Sequence, residues 1–118
     1  AINQAAPDIR FDAAVSYIFS EEFNSLPATR LVAALLPVSL YGKQVQIAVK
    51  SIYDSFQVGL EIELKQYKPH ATESEIRQVS YSIMCLAFGG GWMRNIGFDP
   101  KLNERNKTLA ENLIRQLA

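Results

Sequence analysis

Helix-breaking residues divide this chain into segments that each have the apolar spacing of a helix. The breaks fall at Pro7, Pro27, Gly42, the stretch 68–70 and Asp99-Pro100. Between them, apolar residues recur three or four positions apart, which indicates five helices, over about 8–23, 28–41, 43–67, from 72 onwards, and 103–117. No segment alternates apolar and polar residues as a strand does. The sequence therefore predicts an all-α domain, an antiparallel bundle of about five helices.

Two local signals and a glycine run refine this prediction. Pro37 lacks a backbone N–H, so we expect it to kink or restart the second helix. Thr72 and Glu75 have the spacing of a capping box, which predicts the start of the fourth helix. Gly89 to Gly91 lie in that helix, where each glycine costs about 1 kcal/mol relative to alanine. They imply either the close approach of another element or a local break.

Composition bounds the classes of protein to which the chain can belong. It has 118 residues, and 48% of them are hydrophobic, which suits one globular domain over 1–118. Twelve basic and twelve acidic residues cancel, so no positive field is available to hold a nucleic acid. The longest apolar run, 83–93, is about half of the roughly 20 residues that cross a bilayer. We therefore expect neither DNA binding by this segment itself nor insertion into a membrane.

Residues that carry out chemistry are scarce. The single histidine, His70, lies in a predicted turn, and the single cysteine, Cys85, lies in an apolar run without a disulfide partner. The sequence shows no catalytic nucleophile together with a general base, no metal-ligand spacing and no phosphate-binding loop. These observations favour a non-enzyme without metal or cofactor, in the cytoplasm. The chain also lacks an initiator Met and a signal peptide, so its first residues are interpreted as the interior of a longer protein.

Two long predicted helices have more apolar surface than one core can use. The third has a wide stripe of large side chains and, on another side, small residues flanked by aliphatic ones. The fourth is apolar almost all round. We therefore predict that these surfaces pair with a second copy of the chain, as an isologous dimer. The predicted interface residues are Ile47, Ala48, Ser51, Ser55, Val58, Gly59, Ile62, Val79, Ile83 and Leu86.

Aromatic residues are numerous for so small a helical domain. Core packing explains most of them, but several can also line an apolar cavity in which a tyrosine hydroxyl orients a ligand. We expect such a cavity among the first three helices. Its candidate lining residues are Tyr17, Tyr41, Tyr53, Phe56 and Trp92.

The order of the last four predicted helices resembles the C-terminal domain of the TetR family of transcriptional regulators. The similarity covers 28–118: a segment like 31–41, a long helix like 45–67 that ends in a polar turn, an acidic-capped apolar helix, and a short final helix. The apolar helix closes on Gly97-Phe98-Asp99-Pro100, where the family has Leu-x-Asp-Pro or a similar sequence. The first segment, 8–23, is compatible with the family but unspecific.

This resemblance implies a homodimer joined by a four-helix bundle, two long helices from each subunit. It also implies a pocket in each subunit for a small apolar or amphipathic effector, whose binding releases DNA from a helix-turn-helix domain that would precede Ala1. The expected function is therefore effector sensing and dimerisation in a TetR-like repressor. The alternative is a small helical homodimeric scaffold without a small ligand.

Overall fold

The computed structural model of the protein describes residues 6–118, and within that range it is helical, without strands. The elements are α1 (Pro7–Ile18), α2 (Glu21–Ser25), α3 (Pro27–Ser39), α4 (Lys43–Tyr67), α5 (Glu73–Asn95) and α6 (Pro100–Arg115). The predicted all-α class is confirmed. Six helices occupy the described range instead of five, because the first predicted segment is divided.

That division occurs at Ser20, inside the predicted helix 8–23. Ser20 has extended backbone angles, and its hydroxyl accepts a hydrogen bond from the Phe23 N–H at 3.1 Å, so it caps a new helix. The prediction of one continuous helix was wrong here, because Phe19 and Phe23 keep a helical spacing across the break. The short helix α2 results.

The third and fourth elements agree more closely with the sequence. Helix α3 runs through Pro37 without restarting and ends two residues later, at Ser39. Gly42 is the extended residue before α4, which has the predicted bounds, Lys43 to Tyr67. Pro27, the first residue of α3, and Gly42, the residue before α4, therefore mark the starts of these helices, as predicted.

The predicted capping box is present at the start of α5. The Thr72 hydroxyl accepts from the Glu75 N–H at 3.1 Å, and a Glu75 carboxylate oxygen accepts from the Thr72 N–H at 3.0 Å. The helix then continues through the glycine run to Asn95, so the glycines do not break it.

The last helix begins earlier than predicted. Asp99 caps it by accepting a hydrogen bond from the Lys101 N–H at 3.0 Å, and Pro100 is its first residue. The sequence analysis read Asp99-Pro100 only as a breaker and began the helix at 103. An acidic cap followed by proline is, however, a favoured helix start, because proline has no N–H to leave unpaired there.

A single hydrophobic core joins α1 to the three long helices α4, α5 and α6. Phe11, Leu64, Ile83, Ala87 and Ala110 are completely buried in it. The Arg10 side chain adds a polar link between α1 and α4 by contacting Glu63 and Gln66. Helix α3 lies outside this core, packed mainly on α4, and that position creates the candidate site described next.

Candidate functional site

Helix α3 is apolar but contributes no buried residue. Val32 and Ala33 are half-buried, and Leu31 and Leu36 are exposed. A mostly apolar helix without a buried side chain has not filled the space beneath it, since core helices bury an apolar stripe. The region between α3 and the rest of the domain is therefore under-packed.

Beneath α3, four aromatic rings from three helices meet. Phe88 of α5 lies at the centre, with its ring centroid 5.8 Å from Phe23, 5.0 Å from Tyr53 and 4.9 Å from Phe56. We call these four residues the aromatic cluster. The rings are tilted or edge-to-face, the arrangement that aromatic pairs prefer. The cluster is only partly buried, so it presents aromatic surface towards α3.

Two cavities lie between α3 and the aromatic cluster. One of about 380 Å³ is lined by Phe23, Ala28, Thr29, Val32, Ile52, Tyr53, Ser55, Phe56 and Phe88. The other, of about 160 Å³, is lined by Asn24, Thr29, Arg30, Ala33, Leu36, Tyr53, Phe88, Gly89, Trp92, Met93 and Asn95. Because Thr29, Tyr53 and Phe88 line both, the cavities are adjacent. The larger cavity lies within the range of about 300–1,000 Å³ that is typical of small-ligand sites, and the smaller one lies below it.

Polar contacts fix the floor of the smaller cavity. Asn24 is 2% exposed, and its side-chain amide donates to the backbone oxygens of Ile18 and Ser20, at 3.3 and 2.9 Å. Asn95 donates to the Asn24 backbone oxygen at 3.3 Å, which ties α5 to α2. A side chain on Gly91 would collide with the Asn24 amide, so this close approach requires glycine. The floor is therefore held by the junction of α2 and α5.

Tyr53 lines both cavities and carries a phenol group. Burial raises the pKa of this phenol, because desolvation disfavours the phenolate. Tyr53 therefore presents a neutral hydroxyl, able to donate and to accept a hydrogen bond.

The structure brings together three of the five predicted ligand residues. Tyr53 lines both cavities, Phe56 lines the larger and Trp92 the smaller. Tyr17 is 42% exposed and packs on Phe23, and Tyr41 is 91% exposed; neither lines these cavities. The sequence analysis missed Phe23, Phe88 and the α3 residues as cavity lining. The signal for Phe88 was its position one helical turn before Trp92.

The predicted interface residues of α4 lie on one exposed side of the helix. Ile47, Val58 and Ile62 are 59, 51 and 55% exposed, and Ala48, Ser51, Ser55 and Gly59 are exposed between them. The core does not use this side, as predicted. Whether a second copy covers it stays a prediction.

The predicted interface residues of α5 lie elsewhere, and this part of the prediction needs correction. Ile83 is fully buried in the chain's own core, and Val79 and Leu86 pack against that core. Ile83 therefore has no surface to offer a partner, whereas Leu86 also lines the groove between α5 and α6. Both sides of α5 are apolar, and for Ile83 the sequence analysis chose the side that the chain's own core uses.

The side of α5 that points away from the core continues onto α6. We call this surface the outer face and define it by Tyr81, Cys85, Gly89, Met93, Leu102 and Leu109, all exposed. Several of them line a groove of about 580 Å³ between the two helices. Gly89 has open space where a Cβ would stand, so no neighbour among residues 6–118 requires a glycine there.

Comparison with models of known protein families, with curated proteins and with solved structures finds no match to this chain. The resemblance to the TetR family therefore stays a prediction from the sequence. None of the helices in 6–118 combines the length and hydrophobicity needed to cross a bilayer. Across the same residues, His, Cys, Asp and Glu side chains nowhere gather in threes as a metal site would need.

Proposed function

We propose that this chain is the effector-binding and dimerisation domain of a TetR-like transcriptional repressor, and that the effector occupies the space between α3 and the aromatic cluster. One observation carries the proposal: aromatic rings from α2, α4 and α5 converge under a helix that buries none of its residues. Such a cluster offers a ligand apolar contact on several sides, with Tyr53 as a polar group to orient it.

The position of the cavities supports a regulatory role. Their walls belong to α2, α3, α4 and α5, so an occupant contacts four helices at once. A ligand that fits one arrangement of these helices better than another shifts the population between the two arrangements. In a dimer, this shift changes the relative position of two attached DNA-binding heads, and operator affinity falls by the same coupling free energy.

The proposed docking surface for a second copy is not the α4 side predicted from the sequence but the outer face of α5 and α6. It holds exposed apolar side chains from two helices, of which Tyr81, Met93, Leu102 and Leu109 are 44 to 56% exposed. Cys85 and Gly89 keep its centre small, which lets helix axes approach closely. Two helices from each copy would then form a four-helix contact. A stable interface of this kind needs about 1,000 Å² or more of buried surface.

A matched pair of α3 variants tests the ligand site. Ala33 lines the smaller cavity, whereas its neighbour Ala34 is exposed and lines neither cavity. We expect the neutral apolar dye Nile red to bind the wild-type chain with a stoichiometry of one per subunit. Ala33→Phe should weaken this binding by filling the cavity, while Ala34→Phe should leave it unchanged.

Two other outcomes of this binding experiment favour the alternative function, a homodimeric scaffold without a small ligand. If the dye fails to bind, or if both variants weaken binding equally, α3 covers no ligand site and the scaffold function takes its place. The regulatory part of the proposal is tested by the coding sequence upstream of Ala1, which should encode a helix-turn-helix with a basic recognition helix.

A further inference from the structure

Among residues 6–118, Arg30 is the only charged residue that lines either cavity under α3. Its side chain is exposed at the smaller cavity, and it forms no ion pair with any residue in 6–118. The other arginine near the junction, Arg94, instead donates to the Ser20 backbone oxygen at 3.4 Å. A guanidinium beside an apolar cavity and without a carboxylate partner is available to a ligand.

The uncharged polar groups of the cavities can also serve as donors. Thr29 and Tyr53 line both cavities and Ser55 lines the larger, and none of these side chains forms a hydrogen bond to another described residue. Asp and Glu are absent from both linings. The linings therefore combine one positive charge, three hydroxyl residues and aromatic surface, without a carboxylate to pair with a cation.

We infer that the effector is an amphipathic organic anion, whose apolar body lies on the aromatic cluster and whose carboxylate pairs with Arg30. This inference rests on the proposed function and adds the charge of the ligand to it. Arg30 offers several N–H donors in the planar arrangement that matches a carboxylate. Because Arg30 is exposed, the pairing is screened by salt, whereas the apolar contacts are not.

Three probes of equal chain length separate charge from hydrophobicity: octanoate, octanol and octylammonium. Trp92 is the only tryptophan of the chain and lines the smaller cavity, so its emission reports occupancy of this site. Equilibrium dialysis measures binding independently of the fluorophore. At low ionic strength we expect octanoate to bind about tenfold more tightly than octanol, and octylammonium to bind least.

Arg30→Gln should abolish the preference for octanoate and leave octanol binding unchanged, and Arg30→Lys should restore part of it. Arg115→Gln is the matched control, because Arg115 is exposed on α6 and lines neither cavity. Added salt should weaken octanoate binding only.

The outcomes distinguish the inference from the proposed function. If octanol and octylammonium bind as tightly as octanoate, or if Arg30→Gln changes nothing, the anionic ligand is refuted while the cavity stands. If none of the three probes binds by dialysis or changes the Trp92 emission, and Nile red also fails to bind, the ligand site itself is refuted.

Discussion

Three consecutive glycines in α5 face three different surroundings, so alanine should affect stability differently at each. A Cβ on Gly89 meets open space. A Cβ on Gly90 meets the side chains of Asn103 and Asn106, and one on Gly91 meets the Asn24 amide. All three lie within one helix and share nearly the same helix propensity term, which favours alanine by about 1 kcal/mol.

The Asn24 and Asn103 side chains differ in what they lose when displaced. Asn24 donates two hydrogen bonds to backbone oxygens, at 2.9 and 3.3 Å, each worth about 1 kcal/mol. Asn103 is buried without any side-chain partner among the described residues, so its displacement breaks no hydrogen bond. Overpacking adds about 1 to 3 kcal/mol wherever the neighbour is held in place.

These terms give an order for the free energy of unfolding. Gly89→Ala should stabilise by up to about 1 kcal/mol. Gly90→Ala should be close to neutral, because the gain in propensity offsets the shift of a side chain that is not bonded. Gly91→Ala should destabilise by about 2 kcal/mol or more, from at least about 3 kcal/mol of lost bonds and crowding less about 1 kcal/mol of helix propensity.

Urea unfolding followed by circular dichroism measures these differences. With an m-value of about 2 kcal/mol/M, the midpoints of Gly89→Ala and Gly91→Ala should lie about 1.5 M apart. Because Gly89 belongs to the outer face, each variant is unfolded at two protein concentrations, which separates folding from association. Equal midpoints for the two variants would refute the close approach of α2 to α5. So would a Gly91→Ala penalty that persists undiminished in an Asn24→Ala background, where the obstructing amide is gone.

Three further predictions concern the interface, the α5 cap and DNA. Leu109→Arg places a charge on the outer face and should convert the dimer to a monomer in sedimentation, with a penalty of ~3 kcal/mol or more. Gly59→Arg on the exposed side of α4 should leave it dimeric, and the reverse result would move the interface to α4. Thr72→Ala should lower the free energy of unfolding by about 1 kcal/mol in thermal denaturation. Two hydrogen bonds from Thr72 lower the pKa of Glu75, and the bond from the Thr72 backbone N–H has the larger effect. The stability that Glu75 adds is therefore present above its ordinary pKa and is lost as the pH falls through the lowered value. Glu75→Gln should flatten that part of the acid unfolding curve. An unchanged curve would mean that Glu75 does not contribute to the pH dependence of stability. Finally, the chain has a formal net charge of zero, so a gel shift at low salt should show no sequence-specific DNA binding. A specific shift would contradict the charge argument.

The sequence predicted helix bounds well where a breaker coincides with the helix end. Helix α4 lies between Gly42 and Pro69, and both of its ends were predicted correctly. The break at Ser20 was missed because aromatic spacing continues across it, and a serine cap is weaker local evidence than a proline or glycine. Asp99-Pro100 begins α6, whereas α5 ends earlier, at Asn95, so interpreting the pair only as a breaker missed the helix start.

The candidate site was partly predictable because large aromatic side chains on a helix pack either in the core or along an apolar cavity. Tyr53, Phe56 and Trp92 followed from that argument. Periodicity cannot say which of two apolar sides of a helix meets the chain's own core, however, and this is why Ile83 was assigned to an interface. Arg30 acquires its role only when α3 is placed over α5, since the cavity that it lines is formed by residues far apart in the sequence.

The absence of buried residues in α3 has a consequence for how the domain opens. Local unfolding requires the loss of whatever a segment buries, so α3 can detach with its amides exposed while the core of α1, α4, α5 and α6 stays closed. Its amide hydrogens should therefore exchange with solvent much faster than those of α5. An occupant of the cavities would slow exchange in α3 in proportion to its concentration over its Kd. Exchange in α3 thus gives a measure of occupancy that needs no knowledge of the operator.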